Sequence, residues 1–190
     1  MKKGLLIVYS GVSGVGKGTI LDFLMPMEEL NLVYSVSMTT RAPRPGEVDG
    51  VNYFFVDKKR FLEAVKNGEL LEHARFVGND YGTPLAYVEK MRNEGKNVIL
   101  EIEIRGAKQV LEKCPDALSI YIVPPSIEEL EKRLRARNSE DEETILKRIS
   151  KAREELKDID FYEHIVCNDD IEKAVQEIRQ IILDEINKAE

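Results

Sequence analysis

Near the start of the chain, Gly11-Val-Ser-Gly-Val-Gly16-Lys17-Gly18-Thr19 matches the phosphate-loop spacing G-x-x-x-x-G-K. Glycines at 11, 14 and 16 let successive backbone amides turn inward around an anion. A helix starting at the lysine adds the partial positive charge of its N-terminus, and the Lys17 ammonium reaches the terminal phosphates. An ordinary strand-to-helix turn needs neither the lysine at this offset nor so many glycines. The chemistry on offer is nucleotide binding, with Gly11, Ser13, Gly14, Val15, Gly16, Lys17, Gly18 and Thr19 as the cradle. The residue after the lysine is Gly18, where a hydroxyl normally holds magnesium, and Thr19 follows one place later. Magnesium is therefore expected to be held mainly through water, the nucleotide phosphates and a nearby carboxylate. Glu101 and Glu103 stand at the end of a core strand, where ligands of open parallel sheets gather; the alternative is that neighbouring cations satisfy them.

A second anion site is suggested by Ser37-Met-Thr-Thr-Arg41-Ala-Pro-Arg44-Pro-Gly-Glu-Val-Asp-Gly50-Val-Asn-Tyr53. Its arginines lie on a proline-stiffened loop, where planar guanidinium forks hold phosphate bidentately, and Tyr53 and Tyr81 could add phenolic donors. Taken alone, Arg41 and Arg44 read better as solvated loop cations. Arg133 and Arg137, four apart on one helix face, could converge with Arg148 of the next helix on a dense anion. Spacing alone favours a solvated face paired with Glu129 and Glu131.

These groups need elements to position them. Leu5-Leu-Ile-Val-Tyr9 is a continuous apolar run, expected as a fully buried strand of a parallel sheet. Ile20, Leu21, Phe23 and Leu24 form the apolar face of a helix ended by Pro26. From Ser35 to Tyr87, short alternating segments and turn residues predict an insertion with a small antiparallel sheet and a short helix beginning near Asp57. Core strands return at 97–104 and 117–123, separated by a short helix around Ala107 to Glu112. Ser126-Ile-Glu-Glu129 reads as a capping box ahead of an Ile127, Leu130, Leu134 stripe. A second helix is expected from about Glu142 to Leu156, making a charged hairpin with little apolar surface of its own and freedom to move. His164-Ile-Val-Cys167 closes the sheet, and a helix from Asp170 buries Ile171, Val175, Ile178 and Ile182.

Composition narrows the classes. A chain of 190 residues, 43% hydrophobic and 33% charged, fits one compact domain with a real core. With 28 Lys+Arg against 35 Asp+Glu the net charge is -7, which argues against a broad grip on a nucleic acid polymer. No stretch approaches the roughly 20 apolar residues a membrane span requires, and Leu5 to Val8 is too short for a secretory segment, so a cytoplasmic protein is expected. Cys114 and Cys167 lie far apart with only 2 histidines, which supports neither a disulfide framework nor a zinc site.

Taken together, the blocks resemble the guanylate kinase family over essentially the whole chain. They are the phosphate loop at 11–19, the Ser37-Met-Thr-Thr-Arg41 to Tyr53 block, Glu69-Leu-Leu-Glu72, Tyr81-Gly-Thr83, Glu101-Ile-Glu-Ile-Arg-Gly106, Pro124-Pro-Ser126 with Arg133, Arg137 and Arg148, and Asn168-Asp-Asp170. The resemblance implies an α/β P-loop NTPase, three-layer α/β/α, with a parallel core sheet, a small mixed GMP-binding insertion and a helical lid. It implies one domain over 1–190, with core at 1–36, 88–125 and 157–190, the GMP-binding region at 37–87 and the lid at 126–156. The implied activity is reversible transfer of the ATP gamma-phosphoryl group to GMP or dGMP, with Mg2+ accompanying ATP, and no nucleic acid or membrane partner.

By the same resemblance, Lys17, Arg41, Arg137 and Arg148 are catalytic. The loop binds ATP together with Arg133, Arg137 and Asn168; Ser37, Arg41, Arg44, Tyr53, Glu72, Tyr81, Thr83 and Glu103 bind GMP; Thr19 and Glu101 attend magnesium, through water. A carboxylate at Glu72 would accept from guanine N1-H and the 2-amino group while Thr83 donates to O6; adenine presents the wrong pattern. Glu72 on its own would read as a surface glutamate. The sequence departs from the family pattern at Val12, Gly18, Arg105 and Asn138, none of which removes an implied cation. Three other functions compete. A guanylate-kinase-like scaffold module typically has an eroded phosphate loop; a P-loop kinase for another small molecule would not need Arg41, Arg44, Glu72 and Thr83 together; a GTPase switch would need an N-K-x-D box, which is missing.

Overall fold

The computed structural model describes residues 2–76, 78–136 and 141–188. The strands are β1 (Leu6–Gly11), β2 (Leu32–Tyr34), β3 (Met38–Thr39), β4 (Phe54–Phe55), β5 (Leu70–Phe76), β6 (Asn79–Pro84), β7 (Asn97–Glu101), β8 (Leu118–Val123) and β9 (His164–Cys167). The helices are α1 (Lys17–Leu24), α2 (Lys58–Lys66), α3 (Leu85–Asn93), α4 (Ile104–Lys113), α5 (Ile127–Ala136), α6 (Glu142–Glu155) and α7 (Ile171–Lys188). The fold is α/β with a core sheet in the order β2-β7-β1-β8-β9, in which β8 and β9 pair in parallel. As its continuous apolar run predicts, β1 is buried from Leu6 to Ser10, and it is the middle strand.

The insertion forms a second sheet, β4-β3-β6-β5. It is mixed rather than antiparallel: β3 pairs in parallel with β4, Met38 opposite Phe54, while β3 with β6 and β5 with β6 are antiparallel. The reason is the connection, because β3 reaches β4 through a long loop and not a tight hairpin, which frees the strand direction. Met38, Phe61, Ala64 and Leu70 bury a small core there. Asp57 caps α2 by accepting from Arg60 N at 2.7 Å.

The chain divides into two compact units. One comprises Met1–Val8 and Val33–Ala117, the other Tyr9–Leu32 and Leu118–Glu190. The sequence reading defines no helix between 85 and 93; α3 forms there with Val88 and Arg92 buried. The Arg92 guanidinium donates to Gly4 O at 2.9 Å and to Asp116 at 3.0 Å, so its charge enters the interior already partnered. In the other unit, α5 and α6 bury Leu130, Leu134, Ile145, Ile149 and Ala152. This corrects the expectation of a hairpin with little apolar surface: the apolar residues recur at helical spacing but are diluted in sequence by Glu, Lys and Arg. Ser126 Oγ accepts from Glu129 N at 3.1 Å, as the capping box requires, whereas the Glu129 carboxylate accepts from Lys132 at 3.3 Å. No helix of the described residues is long and apolar enough to cross a membrane.

Candidate active site

In the second unit, β1 ends at Gly11 and the loop turns into α1 through Gly14 (φ 89°) and Gly16 (φ 101°). Both angles lie in the left-handed region that glycine adopts without a side-chain clash. Space demands glycine as well: a Cβ at Gly14 would sit 2.6 Å from Leu134 Cδ2, and one at Gly16 2.7 Å from Asn168 Nδ2. Val12 and Val15 are buried and anchor the loop. Asn168, itself buried, donates from Nδ2 to Val15 O at 2.8 Å and fixes the loop from behind. Its own carbonyl accepts from Arg133 at 2.9 Å, and Arg148 donates to Ser13 Oγ at 3.3 Å.

Arg133 and Arg148 thus each reach a loop residue, while Glu129 and Glu131 pair with Lys132 and Arg135. Arg137 lies outside the described residues, as does Asn138. Lys17 Nζ donates to Gly11 O at 2.7 Å and Val12 O at 3.4 Å, so the ammonium is held over the loop that an anion would enter. No acidic residue occupies the first turn of α1 to oppose the positive end of its dipole. Gly18 differs from the other loop glycines, since a Cβ there meets nothing within 4 Å. Gly18 and Thr19 are exposed.

The first unit carries a second group of polar side chains. Arg41 donates to Glu47 Oε1 at 2.7 Å and its guanidinium carbon lies 5.2 Å from the centre of the Tyr53 ring. Tyr53 in turn meets Tyr81 edge-on, with ring centres 6.1 Å apart. The other Glu47 oxygen accepts from Arg44 N at 2.7 Å, so one carboxylate orients both arginine positions. The Arg41 guanidinium, followed by the Arg44 amide, holds the Glu47 carboxyl below the usual carboxylate range. Sequence reasoning assigned no role to Glu47; its signal was the Arg44-x-x-Glu47 spacing of a turn closed by its own carboxylate. The Arg44 side chain stands exposed.

A cavity of about 350 Å³ is lined by Ser37, Tyr53, Thr83 and Glu101 among others. Beside Thr83, Glu72 is buried, and its Oε1 accepts from Thr83 Oγ1 at 2.6 Å. Burial pushes the Glu72 carboxyl above its ordinary value, opposed by the Thr83 hydrogen bond and then by the charge of Lys113. A buried carboxylate against a hydroxyl is a planar acceptor next to a group that either donates or accepts. Gly106, in the first turn of α4, makes room for it: a Cβ there would fall 2.6 Å from Glu72 Oε2. Glu103 is the residue preceding that helix and is exposed. Gly106 was quoted in a sequence block without a role, because only the fold brings it to Glu72.

The chain is similar to known proteins along most of its length. Residues 3–185 match the family model described as guanylate kinase. The guanylate kinase of Mesoplasma florum is 52% identical over 183 residues, which are 96% of this chain and 62% of the relative. That of Streptococcus thermophilus is 49% identical over 181 residues, 95% of this chain and 87% of the relative. The chain therefore spans less than two thirds of the length of the Mesoplasma relative and most of the Streptococcus one. A crystal structure of guanylate kinase from Anaplasma phagocytophilum superposes with a TM-score of 0.73 at 34% identity, covering 97% of this chain and 87% of that one. With a phosphate loop in one unit, a buried carboxylate and hydroxyl in the other, and likeness along nearly its whole length, the chain belongs to the guanylate kinase family.

Proposed function

We propose that the protein transfers the gamma-phosphoryl group of ATP reversibly to GMP or dGMP, giving ADP and GDP. The observation that carries the choice of acceptor is the buried Glu72 with Thr83 donating to it. Guanine offers N1-H and a 2-amino group to the two carboxylate oxygens. Taking up those donors releases the single Thr83 proton, which then turns to O6. Adenine puts a lone pair at N1 and would leave the carboxylate facing it, desolvated and unpaired.

The GMP phosphate is assigned to Arg41, Arg44, Tyr53 and Tyr81, with Ser37 and Glu103 as further nucleotide contacts; ATP is assigned to loop residues 11–19 with Arg133 and Asn168, its adenine towards the latter two, and Arg148 is a catalytic cation. Arg137 has the same role by family position. Residues 37–87 are read as the acceptor region, 126–156 as the lid, and 1–36, 88–125 and 157–190 as the core. Catalysis is positioning and charge neutralisation, since phosphoryl transfer requires no covalent protein intermediate. The Arg and Lys side chains offset the repulsion of two anionic nucleotides, and lid closure excludes water from the transferring group.

Magnesium fits as a companion of ATP. The Thr19 hydroxyl and, separately, the Glu101 carboxylate are each hard oxygen donors of the kind it takes, through water. Among the described residues there is no group of three or more His, Cys, Asp or Glu that could hold an ion. When bound, the ion supplies charge neutralisation at the phosphates. A cytoplasmic setting, where both nucleotides are supplied, belongs to the same reading.

The test is magnesium-dependent ADP formation from ATP with GMP, dGMP, AMP, CMP, UMP or no acceptor. Turnover confined to guanine nucleotides is expected; equal rates with every acceptor, or none with GMP, would overturn the assignment. Arg41→Ala should lower kcat/KM for GMP about 10²-fold, the loss of a bidentate charge-assisted contact of roughly 3 kcal/mol. Steady-state kinetics with saturating ATP would read this, and a change under threefold would remove Arg41 from the phosphate site.

A further inference from the structure

In the small sheet β5 is an outer strand, and α4 closes its edge beside the guanine-reading carboxylate. The register slips there: Leu70 lies opposite Pro84 but His73 opposite Gly82, three steps on β5 against two on β6. Glu72 sits within this bulge. Along the edge, Gln109 pairs with His73 as a neighbouring strand would: its Oε1 accepts from His73 N at 3.1 Å and its Nε2 donates to His73 O at 3.0 Å. One helical turn on, Lys113 Nζ donates to Leu70 O at 3.1 Å and to Leu71 O at 2.7 Å. Two side chains four apart on one helix face therefore tie down the main chain on both sides of Glu72.

We infer that Lys113 is a specificity-determining positioning residue, which fixes the bulge that aims Glu72 and keeps its carboxylate in the accepting form that guanine requires. The inference rests on Glu72 reading guanine. The groups acting on that carboxylate are the Thr83 hydroxyl from β6 and, from α4, the Lys113 ammonium; both oppose the protonation that burial favours. Lys113 touches main-chain carbonyls and not the nucleotide site proper, so it acts through Glu72.

The test is GMP binding by calorimetry over a series of pH values from mildly acidic to mildly alkaline, and kinetics with GMP and AMP. Three variants are compared with the intact chain: Lys113→Met, Lys113→Gln and Lys113→Arg. Protonation of Glu72 removes the acceptor, so GMP affinity falls as pH falls. Without the lysine charge, that fall should begin at higher pH in Lys113→Met and Lys113→Gln and stay in place in Lys113→Arg. At neutral pH the KM for GMP should rise about tenfold in Lys113→Met, with kcat within about twofold, because binding and not chemistry is lost. Lys113→Gln keeps a polar donor on the same helix face without the charge, so it reads the effect of charge should Lys113→Met not fold. Acid limbs that coincide with the wild type in both uncharged variants would overturn the inference, even if their melting temperatures drop, and leave the guanylate kinase reading standing. A wild-type chain that does not bind GMP would overturn both.

Discussion

Lys17→Ala should reduce ADP formation from ATP and GMP by about 10³-fold while leaving the melting temperature within a few degrees. The ammonium is aimed in advance, 2.7 Å from Gly11 O on the loop that leads into the open end of α1. A triphosphate entering that loop replaces weak carbonyl acceptors with phosphate oxygens, and charge growing on them during transfer strengthens the contact in the transition state. Alanine removes the cation but neither φ-positive glycine nor either buried valine, so the loop retains its shape. A coupled assay for ADP, with melting followed by circular dichroism, separates the two effects. A loss below tenfold would show that the arginines carry the neutralisation alone.

Glu72→Gln should narrow the preference for GMP over AMP by about 10²-fold and at the same time make the protein more heat-stable at neutral pH. The first effect follows from turning one of two acceptor oxygens into a donor, which opposes guanine N1-H or the 2-amino group and suits adenine N1. The second follows from burial. Because burial pushes the Glu72 carboxyl up, the fold binds its proton more tightly than the unfolded chain does; that stabilisation is present at low pH and is lost as pH rises through the folded-state value. At neutral pH the wild type bears the cost of a buried charge, whereas glutamine keeps a partner for Thr83 without it. The stability difference should shrink in acid. Acceptor ratios together with melting curves at two pH values would check both halves, and a melting temperature lower than wild type at neutral pH would contradict the electrostatic account.

The phosphate loop was legible because its information is local: a buried strand, glycines and a lysine at fixed offsets, then a helix. The helix starts near Asp57 and Glu142 were legible for the same reason, as each is capped within one turn, by Asp57 and by Asp141. Less could be read where pairing partners are distant. The parallel β3 and β4 pair, the bulge before His73 and the closeness of Gly106 to Glu72 depend on the tertiary fold. Glu72 itself carried no local sign of burial, and only its place in the family pattern marked it. The seam of α5 and α6 was underread because charge dominates their composition while a few aliphatic residues at the right spacing suffice to bury a face.

The closed edge of β5 also bears on behaviour in concentrated solution. An outer strand with bare amides and carbonyls is a template on which another chain can add itself. Here Gln109 occupies both main-chain groups of His73, and Lys113 occupies two carbonyls while placing a positive charge at the same rim. The arrangement that holds the carboxylate therefore also blocks strand-by-strand stacking of one molecule on the next. Shortening both side chains would uncover a nucleus for fibrous aggregation at a place where the native fold has none to offer.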